Sequence, residues 1–523
     1  MAERGLPNSW QHLAQWSDGE IDLDTTLSTL PCSDRDAAEL VASLWPGWVS
    51  HDPGKPGSRS SRWYLWDGRH HAPDRSRETD RWLSAYTHLS DVCFQRCHQQ
   101  LEVETARRMA GQPQQAIDAQ VEADWKTWTD SKAWAYARAL RMTTGLARLR
   151  EGLAGLRGVD TDSWPANPTM INAADWVVSL DPAADGFEYR PHDPALLMTY
   201  VLDVPWWQVP DGAYPLAMCP QFDRLVRHAT GWDEQVFWYL IHALGYALLG
   251  DNRYQLIFFL SGPTASGKST LLEIVSTVLG DLAHEAKPDL ITKSDRGRHG
   301  RHESSIRGKR LVTIGETNDQ LKLDENQIKA LTGGKRLSVD VIYKEELTGT
   351  LISALLFIAN NQMPRVDHLD EALQRRAMVI PMGATIPPEE RDEAMVTRIV
   401  AQEAAGIFAA LVWACRRVVA SHGVLLTRPP AAVLAKTEAY RAEQDTVARW
   451  LLERTWQANG TSPQVAGKDA LADYASFCVK LDGGPGLTRP NFYEALEKQS
   501  GVQRTGDVNH TYFRGFVLRD PPL

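Results

Sequence analysis

Residues 254–280 read YQLIFFLSGPTASGKSTLLEIVSTVLG. The run LIFFL is continuously apolar, the pattern of a strand buried on both faces. The segment STLLEIVSTVLG places apolar residues at helical spacing and stops at a glycine. Between them stand Gly262, Pro263, Thr264, Ala265, Ser266, Gly267, Lys268, Ser269 and Thr270, a GxxxxGKS pattern joining a strand to a helix. That junction suits phosphate binding. The glycines let backbone N–H groups converge on phosphate oxygens, and the helix N-terminus adds positive potential. Lys268 then brings a charge to the β- and γ-phosphates, and the Ser269 hydroxyl serves Mg²⁺. The stretch predicts a nucleoside triphosphate site.

Working outward, 254–384 alternates strands and helices. KRLVTIGE is a second strand ending at Glu316, LDENQIKALTGG a helix ending in glycines, and GTLISALLFIAN a third strand running to Asn360, Asn361 and Pro364. This rhythm predicts a parallel sheet covered on both faces. A carboxylate at a strand end downstream of a phosphate loop is where Mg²⁺ and the attacking water need one. An amide at the third strand's tip can orient that water, although Asn before Pro is also ordinary turn chemistry. Arg375 and Arg376 precede a last strand, AMVIPM. They read either as transition-state charge offered across a subunit boundary or as a solvated helix end.

In this order, RGKRLVTIGETN…LDENQIKALTGG…IYK…LLFIANNQMPRVDHLDEALQRRAMVIP resembles superfamily 3 helicases. The resemblance is to the phage/plasmid and poxvirus-type primase–helicase C-terminal family, and it is strongest over about 235–385. It implies an α/β, AAA+-like ATPase core with a parallel sheet, preceded by a mainly helical domain and followed by a small winged-helix-like domain. It implies ATP and Mg²⁺ as cofactors, with Lys268 and Ser269 at the nucleotide and Glu316 as the strand-end acid at the metal. Asn361 would sense the phosphate, and Arg376 or Arg375 would reach a neighbour's nucleotide. A DNA-contacting hairpin between Thr332 and about Leu351 would offer Lys335, Arg336 and Lys344. The implied partners are single-stranded or forked DNA, further copies of the chain in a hexameric ring, and other replication proteins. The implied place is the cytoplasm of a bacterial host. Two features depart from the family pattern. Glu316 is followed by Thr317 rather than a second acid, and Lys335 with Asp340 exchanges the usual signs of that pair.

Over the whole chain the organisation reads as 1–192, mainly helical with short β elements; 193–253, a helical collar; 254–386, the motor; 387–428, a helical extension; and 429–523, the winged-helix-like tail. Within the first part, RWYLWDGRHHAPD reads as a hairpin turning at Asp67 and Gly68. The 523 residues are 43% hydrophobic and 23% charged, which excludes wholesale disorder. A net charge of −10 excludes a uniformly basic nucleic-acid coat but leaves room for a local basic channel. No apolar run reads as a membrane span or signal peptide. Six cysteines, with Cys93 and Cys97 the only close pair, predict neither a zinc site nor a disulfide framework. Asp22 and Asp24 make a poor metal pair for primer synthesis, so no primase chemistry is expected. Two other readings stay open: an ATP-dependent origin-binding or loading factor without strand separation, and an oligomeric DNA-binding scaffold with weak ATPase.

Overall fold

The structure is a computed structural model. It describes residues 33–44, 48–51, 62–74, 83, 98–130, 135–136, 138–139, 142–159, 167–292, 305–306, 308–315, 322–333, 336–339, 347–351, 355–360, 364–366, 371–458, 464–482, 486–506 and 511–519. The chain divides into two compact units, Met1–Asn167 with His192–Val201, and Pro168–Pro191 with Leu202–Leu523.

In the first unit the expected hairpin forms. Arg62–Trp66 pairs antiparallel with His71–Pro73, and the sheet extends through Trp48–His51 to Gly158–Val159. The turn is chemically explicit. The Asp67 carboxylate accepts the N–H groups of Arg69 and His70 at 2.8 and 2.9 Å, and Gly68 takes the left-handed conformation at φ +101°. Helices Asp34–Leu44, Gln114–Thr129 and Thr143–Arg157 are among the helices of this unit. Among the described residues of 98–157 the helical part is made of several separate helices. Cys93, Cys97, Asp22 and Asp24 lie outside the described residues.

The second unit is built on five parallel strands: β1 Ile257–Ser261, β2 Ala283–Ala286, β3 Leu311–Ile314, β4 Leu355–Asn360 and β5 Ala377–Pro381. Their order across the sheet is β5-β1-β4-β3-β2. Six helices matter to it: α1 Pro220–Ala229, α2 Glu234–Tyr246, α3 Lys268–Leu279, α4 Glu325–Thr332, α5 Met395–Ala420 and α6 Ala431–Gln444. Alternate strand residues sort onto two faces, as the pleat requires. Ile257, Phe259, Val312, Ile314, Leu356, Ile358 and Val379 form one buried cluster with Tyr440 of α6. On the other face Phe258 stacks on Phe357 at 5.0 Å and meets Tyr239 of α2 edge-on. The edge strand β5 is closed partly by α6, whose Thr437 hydroxyl accepts the Val379 N–H at 3.0 Å.

The expected third strand, 349–360, is in fact two pieces. Leu347–Leu351 pairs with Arg336–Val339 in a separate antiparallel ladder, and only Leu355–Asn360 enters the sheet. The apolar run reads continuously through both, so composition alone cannot show where the chain leaves one ladder for the other.

The expected helical extension at 387–428 is mainly the single helix α5, since nothing between Met395 and Ala420 breaks it. By length and composition α5 passes as a membrane span. Its buried side chains and its partners make it a core helix instead. At the α2–α5 crossing a Cβ on Gly245 would stand 2.6 Å from the Ala414 Cβ and 2.7 Å from the Leu411 oxygen, so only glycine permits the approach. Glu403, 4% exposed, accepts the N–H groups of Gln221 and Phe222 at 3.0 and 2.9 Å. It thereby caps α1, whose own Ncap residue, Cys219, supplies no side-chain bond. Glu403→Ala should cost about 3 kcal/mol of local stability, because two buried donors lose a charged acceptor. Hydrogen exchange across 220–229 reads this directly; unchanged protection there would rule out the capping role.

The strands of 168–191 belong with this unit rather than with the first 167 residues, which moves the expected boundary near 192. Arg310, 3% exposed, donates to the carbonyls of Leu248 and Pro168 and to that of Met170 at 2.6 Å. Arg416 of α5 donates to the Ser179 oxygen at 2.9 Å. These bonds tie 168–191 to the sheet and to α5.

The C-terminal part of the same unit packs helices Thr446–Arg454, Gly467–Asp482 and Arg489–Glu497 around Trp450, Tyr474, Phe492, Phe513 and Phe516. Strands Val465–Ala466 and Gln503–Gly506 flank Thr511–Arg514. Thr511–Arg514 ends at Gly515, φ +105°, and the following Phe516–Leu518 pairs instead with Thr455–Gln457.

Candidate functional site

The strand order places β1 between β4 and β5, with β3 and β2 beyond β4. The chain therefore leaves β1 toward one edge of the sheet and returns at β5 on the other side. In such sheets the crevice beyond the strands' C-terminal ends, where the order reverses, is where ligands bind. The glycine-rich loop crosses that crevice between β1 and α3.

The loop's conformation is held from several directions. Ala265 and Gly267 are left-handed, at φ +58° and +89°. For alanine this costs on the order of 1 kcal/mol, and the surroundings hold it: the Ile386 N–H donates to the Ala265 oxygen at 2.8 Å, and the Thr385 hydroxyl to the Thr264 oxygen at 3.0 Å. Gly262 is required by a close approach, since a Cβ there would stand 2.7 Å from the Met382 Cβ just past β5. Lys268, the first residue of α3 and 4% exposed, donates its ammonium to the Gly262 and Pro263 oxygens at 2.9 and 2.7 Å. The Leu271 N–H takes the Gly267 oxygen at 2.9 Å. Five loop carbonyls, those of residues 262–265 and 267, are thus engaged by protein donors. That removes exposed lone pairs that would repel an anion, while the start of α3 contributes positive potential. Ser266 is buried; Ser269 is exposed at the helix start.

Beside the loop lies a cavity of about 370 Å³, lined among others by Ser269 and Glu273 of α3, Glu285 of β2, Thr313 and Gly315 of the β3 end, and Ala359 of β4. His284 also borders it; burial and the nearby Lys309 hold its imidazole below the ordinary range, which keeps it neutral near pH 7.

The structure brings some of the expected residues together and separates others. Gly262 through Thr270 form one loop and helix start. In β4, Asn360 pairs in register with Ser261, so that strand's tip is level with the loop. Glu316, Asn361, Lys335 and Lys344 lie outside the described residues, and Arg336 is the first residue of its strand, paired with Leu351. Arg375 and Arg376 are at the other end of the sheet, where the Arg376 oxygen accepts the Ile257 N–H at 2.9 Å. They stand a full strand away from the loop of their own subunit, roughly 16 Å for five residues. The pair is also unequal. Arg376 is buried and donates to the Gln255 side chain and the Ala372 oxygen, both at 2.7 Å; Arg375 is exposed and approaches Gln255 at 3.2 Å.

Sequence reading missed Glu285, Thr385 and Ile386. Ala283–Ala286 is a strand of only four residues, too short for its alternation to be read. Its position soon after the Gly280 helix stop was the available signal.

A family profile described as "Family of unknown function (DUF5906)" matches residues 260–376, which spans the sheet from the end of β1 to the start of β5. "Putative helicase L207/L206" of Acanthamoeba polyphaga mimivirus is 26% identical over 151 residues, 28% of this chain. The matched part is only 16% of that relative's length. Among solved structures, two apo forms of the NrS-1 C-terminal region are similar at 12 and 14% identity, with TM-scores of 0.35 and 0.34. They cover 63 and 61% of this chain and 81 and 85% of theirs. The chain is thus distantly similar, over 28% of its length, to a viral protein named as a helicase.

Proposed function

We propose that this chain is an ATP-driven DNA helicase motor, acting as a ring of identical subunits on single-stranded or forked DNA. The observation that supports it most is the GxxxxGKS loop at the sheet's switch point, with its carbonyls bonded away and Lys268 and Ser269 opening α3. The helicase reading adds to this the order of motifs over 254–386 and the antiparallel pair Arg336–Val339 and Leu347–Leu351, which falls where a DNA-contacting hairpin is expected.

The residues present fit a nucleotide with its Mg²⁺. Among the described residues no group of three or more His, Cys, Asp or Glu could hold a metal by itself. A cation here would depend on phosphate oxygens and water for most of its shell, as Mg²⁺ commonly does. When bound, Mg²⁺ neutralises charge that builds on the transferring and leaving oxygens. Loop N–H groups hold the phosphates. Lys268 has three N–H donors, so it keeps the Gly262 and Pro263 oxygens and offers the third, now 3.3 Å from the Ser266 hydroxyl, to a phosphate oxygen, while Ser269 offers its hydroxyl to the cation. In this reading Glu316 and Asn361 position the attacking water at the β3 and β4 tips, and Lys335, Arg336 and Lys344 meet the DNA backbone. Arg375, exposed and remote from its own loop, serves the neighbouring subunit's nucleotide; Arg376 holds its own strand end. The three helices and short strands of 446–519 make the winged-helix-like tail.

The test is displacement of a labelled strand from forks carrying a 3′ or a 5′ tail. Displacement of one fork type with ATP, and none with a non-hydrolysable analogue, is the expected result. DNA-stimulated ATP turnover with both forks left intact would replace the helicase by a loading factor.

A further inference from the structure

We propose that Glu285 supplies the carboxylate that holds the nucleotide's divalent cation opposite Ser269, in the place where a side chain on residue 315 would otherwise project. The inference rests on the nucleotide reading above and names a residue that the motifs do not.

The argument begins with strand alternation. Val312 and Ile314 of β3 belong to the cluster on the α6 face of the sheet. Thr313 and Gly315 therefore face the α3 side, and both border the cavity that Ser269 borders. The position beyond β3 whose side chain would enter that cavity is thus 315, and it is glycine. Among the described residues 308–315 there is no carboxylate to enter the cavity, and Glu316 lies outside them.

Glu285 takes that place from the next strand. It pairs in register with Thr313, and residues paired in register across a parallel ladder share a face. Its neighbour Ala286 pairs with Ile314 and belongs to the opposite cluster, which confirms the alternation. Built onto Gly315, a Cβ would lie 3.8 Å from the Glu285 Oε1. The Glu285 carboxylate therefore reaches the space a residue-315 side chain would enter. That space opens into the Ser269 cavity. A carboxylate and a serine hydroxyl lining one cleft beside a phosphate loop are donors that Mg²⁺ uses together with phosphate oxygens and water. Glu273 borders the same cavity but lies one turn farther along α3 from the phosphate-binding end, so it is the internal competitor.

The experiment titrates a fluorescent ATP analogue into the full chain, at fixed nucleotide and rising Mg²⁺, and repeats it in EDTA. Mn²⁺ binding to the protein–nucleotide complex, followed by electron paramagnetic resonance, gives a second readout independent of turnover. Glu285→Gln should bind nucleotide in EDTA as the unaltered protein does. It should need about ten- to a hundredfold more Mg²⁺ for its full effect, the range seen when groups supporting a bound metal are removed. Equal melting temperatures would show that the shift is not a folding defect. An unchanged Mg²⁺ requirement in Glu285→Gln, or the same shift produced by Glu273→Gln instead, would overturn the assignment while the nucleotide site stands. Failure of the unaltered chain to bind nucleotide at all would overturn the nucleotide reading, and Glu285's role with it.

Discussion

Lys268→Ala should lower ATP turnover by at least about a hundredfold, the usual loss when one donor aimed at transition-state charge is removed. The structure explains why no other side chain substitutes. The ammonium is buried at the first turn of α3, inside the loop, where it holds the Gly262 and Pro263 oxygens. Alanine removes the charge and also releases two carbonyls that then face an incoming anion. Nucleotide affinity should fall along with turnover. The measurement is phosphate release by the purified variant, with melting in the absence of nucleotide as the check on folding. A folded Lys268→Ala protein with unaltered turnover would place hydrolysis somewhere other than this loop.

Arg375→Ala should spare nucleotide binding and reduce turnover by about a thousandfold, the typical effect of losing a finger that acts only in the transition state. Arg376→Ala should behave differently. Its guanidinium is buried on Gln255 and Ala372 beside the start of β1, so removing it should destabilise the sheet edge before it alters chemistry. Mixing is the decisive measurement. In rings assembled from Arg375→Ala and Lys268→Ala subunits, some interfaces join an intact loop from the first to an intact finger from the second. Turnover of the mixture should exceed that of either variant alone. No gain, in mixtures shown to contain both subunits in one ring, ends the trans-acting role for Arg375 and leaves it a solvated helix end.

The two arginines show how sequence and structure divide the information. Adjacent in the chain and identical in chemistry, they could not be told apart by spacing. Packing separates them: both reach the Gln255 side chain, but Arg376 is buried and also holds the Ala372 oxygen, while Arg375 is exposed. The same division holds at the cleft. Glu316 stands out in the sequence as an acid after an apolar run and lies outside the described residues. Glu285 does not stand out, because its strand is four residues long and its relation to Gly315 exists only once β2 pairs with β3.

Local chemistry was enough wherever a residue's role depends on its neighbours in the chain. The apolar run of β1, the loop from Gly262 to Thr270, the helix stop at Gly280 and the Asp67–Gly68 turn were readable because their periodicity and backbone demands lie within a few residues. The parallel character of the sheet followed from the alternation of strands and helices. What the tertiary structure alone decided were the relations between distant segments. These include the order β5-β1-β4-β3-β2, the division of 347–360 between two ladders, the Glu403 cap on α1, and the attachment of 168–191 through Arg310 and Arg416. Each depends on which surfaces meet when the apolar faces are buried together, and that choice is settled by the summed packing of the whole chain rather than by any local stretch.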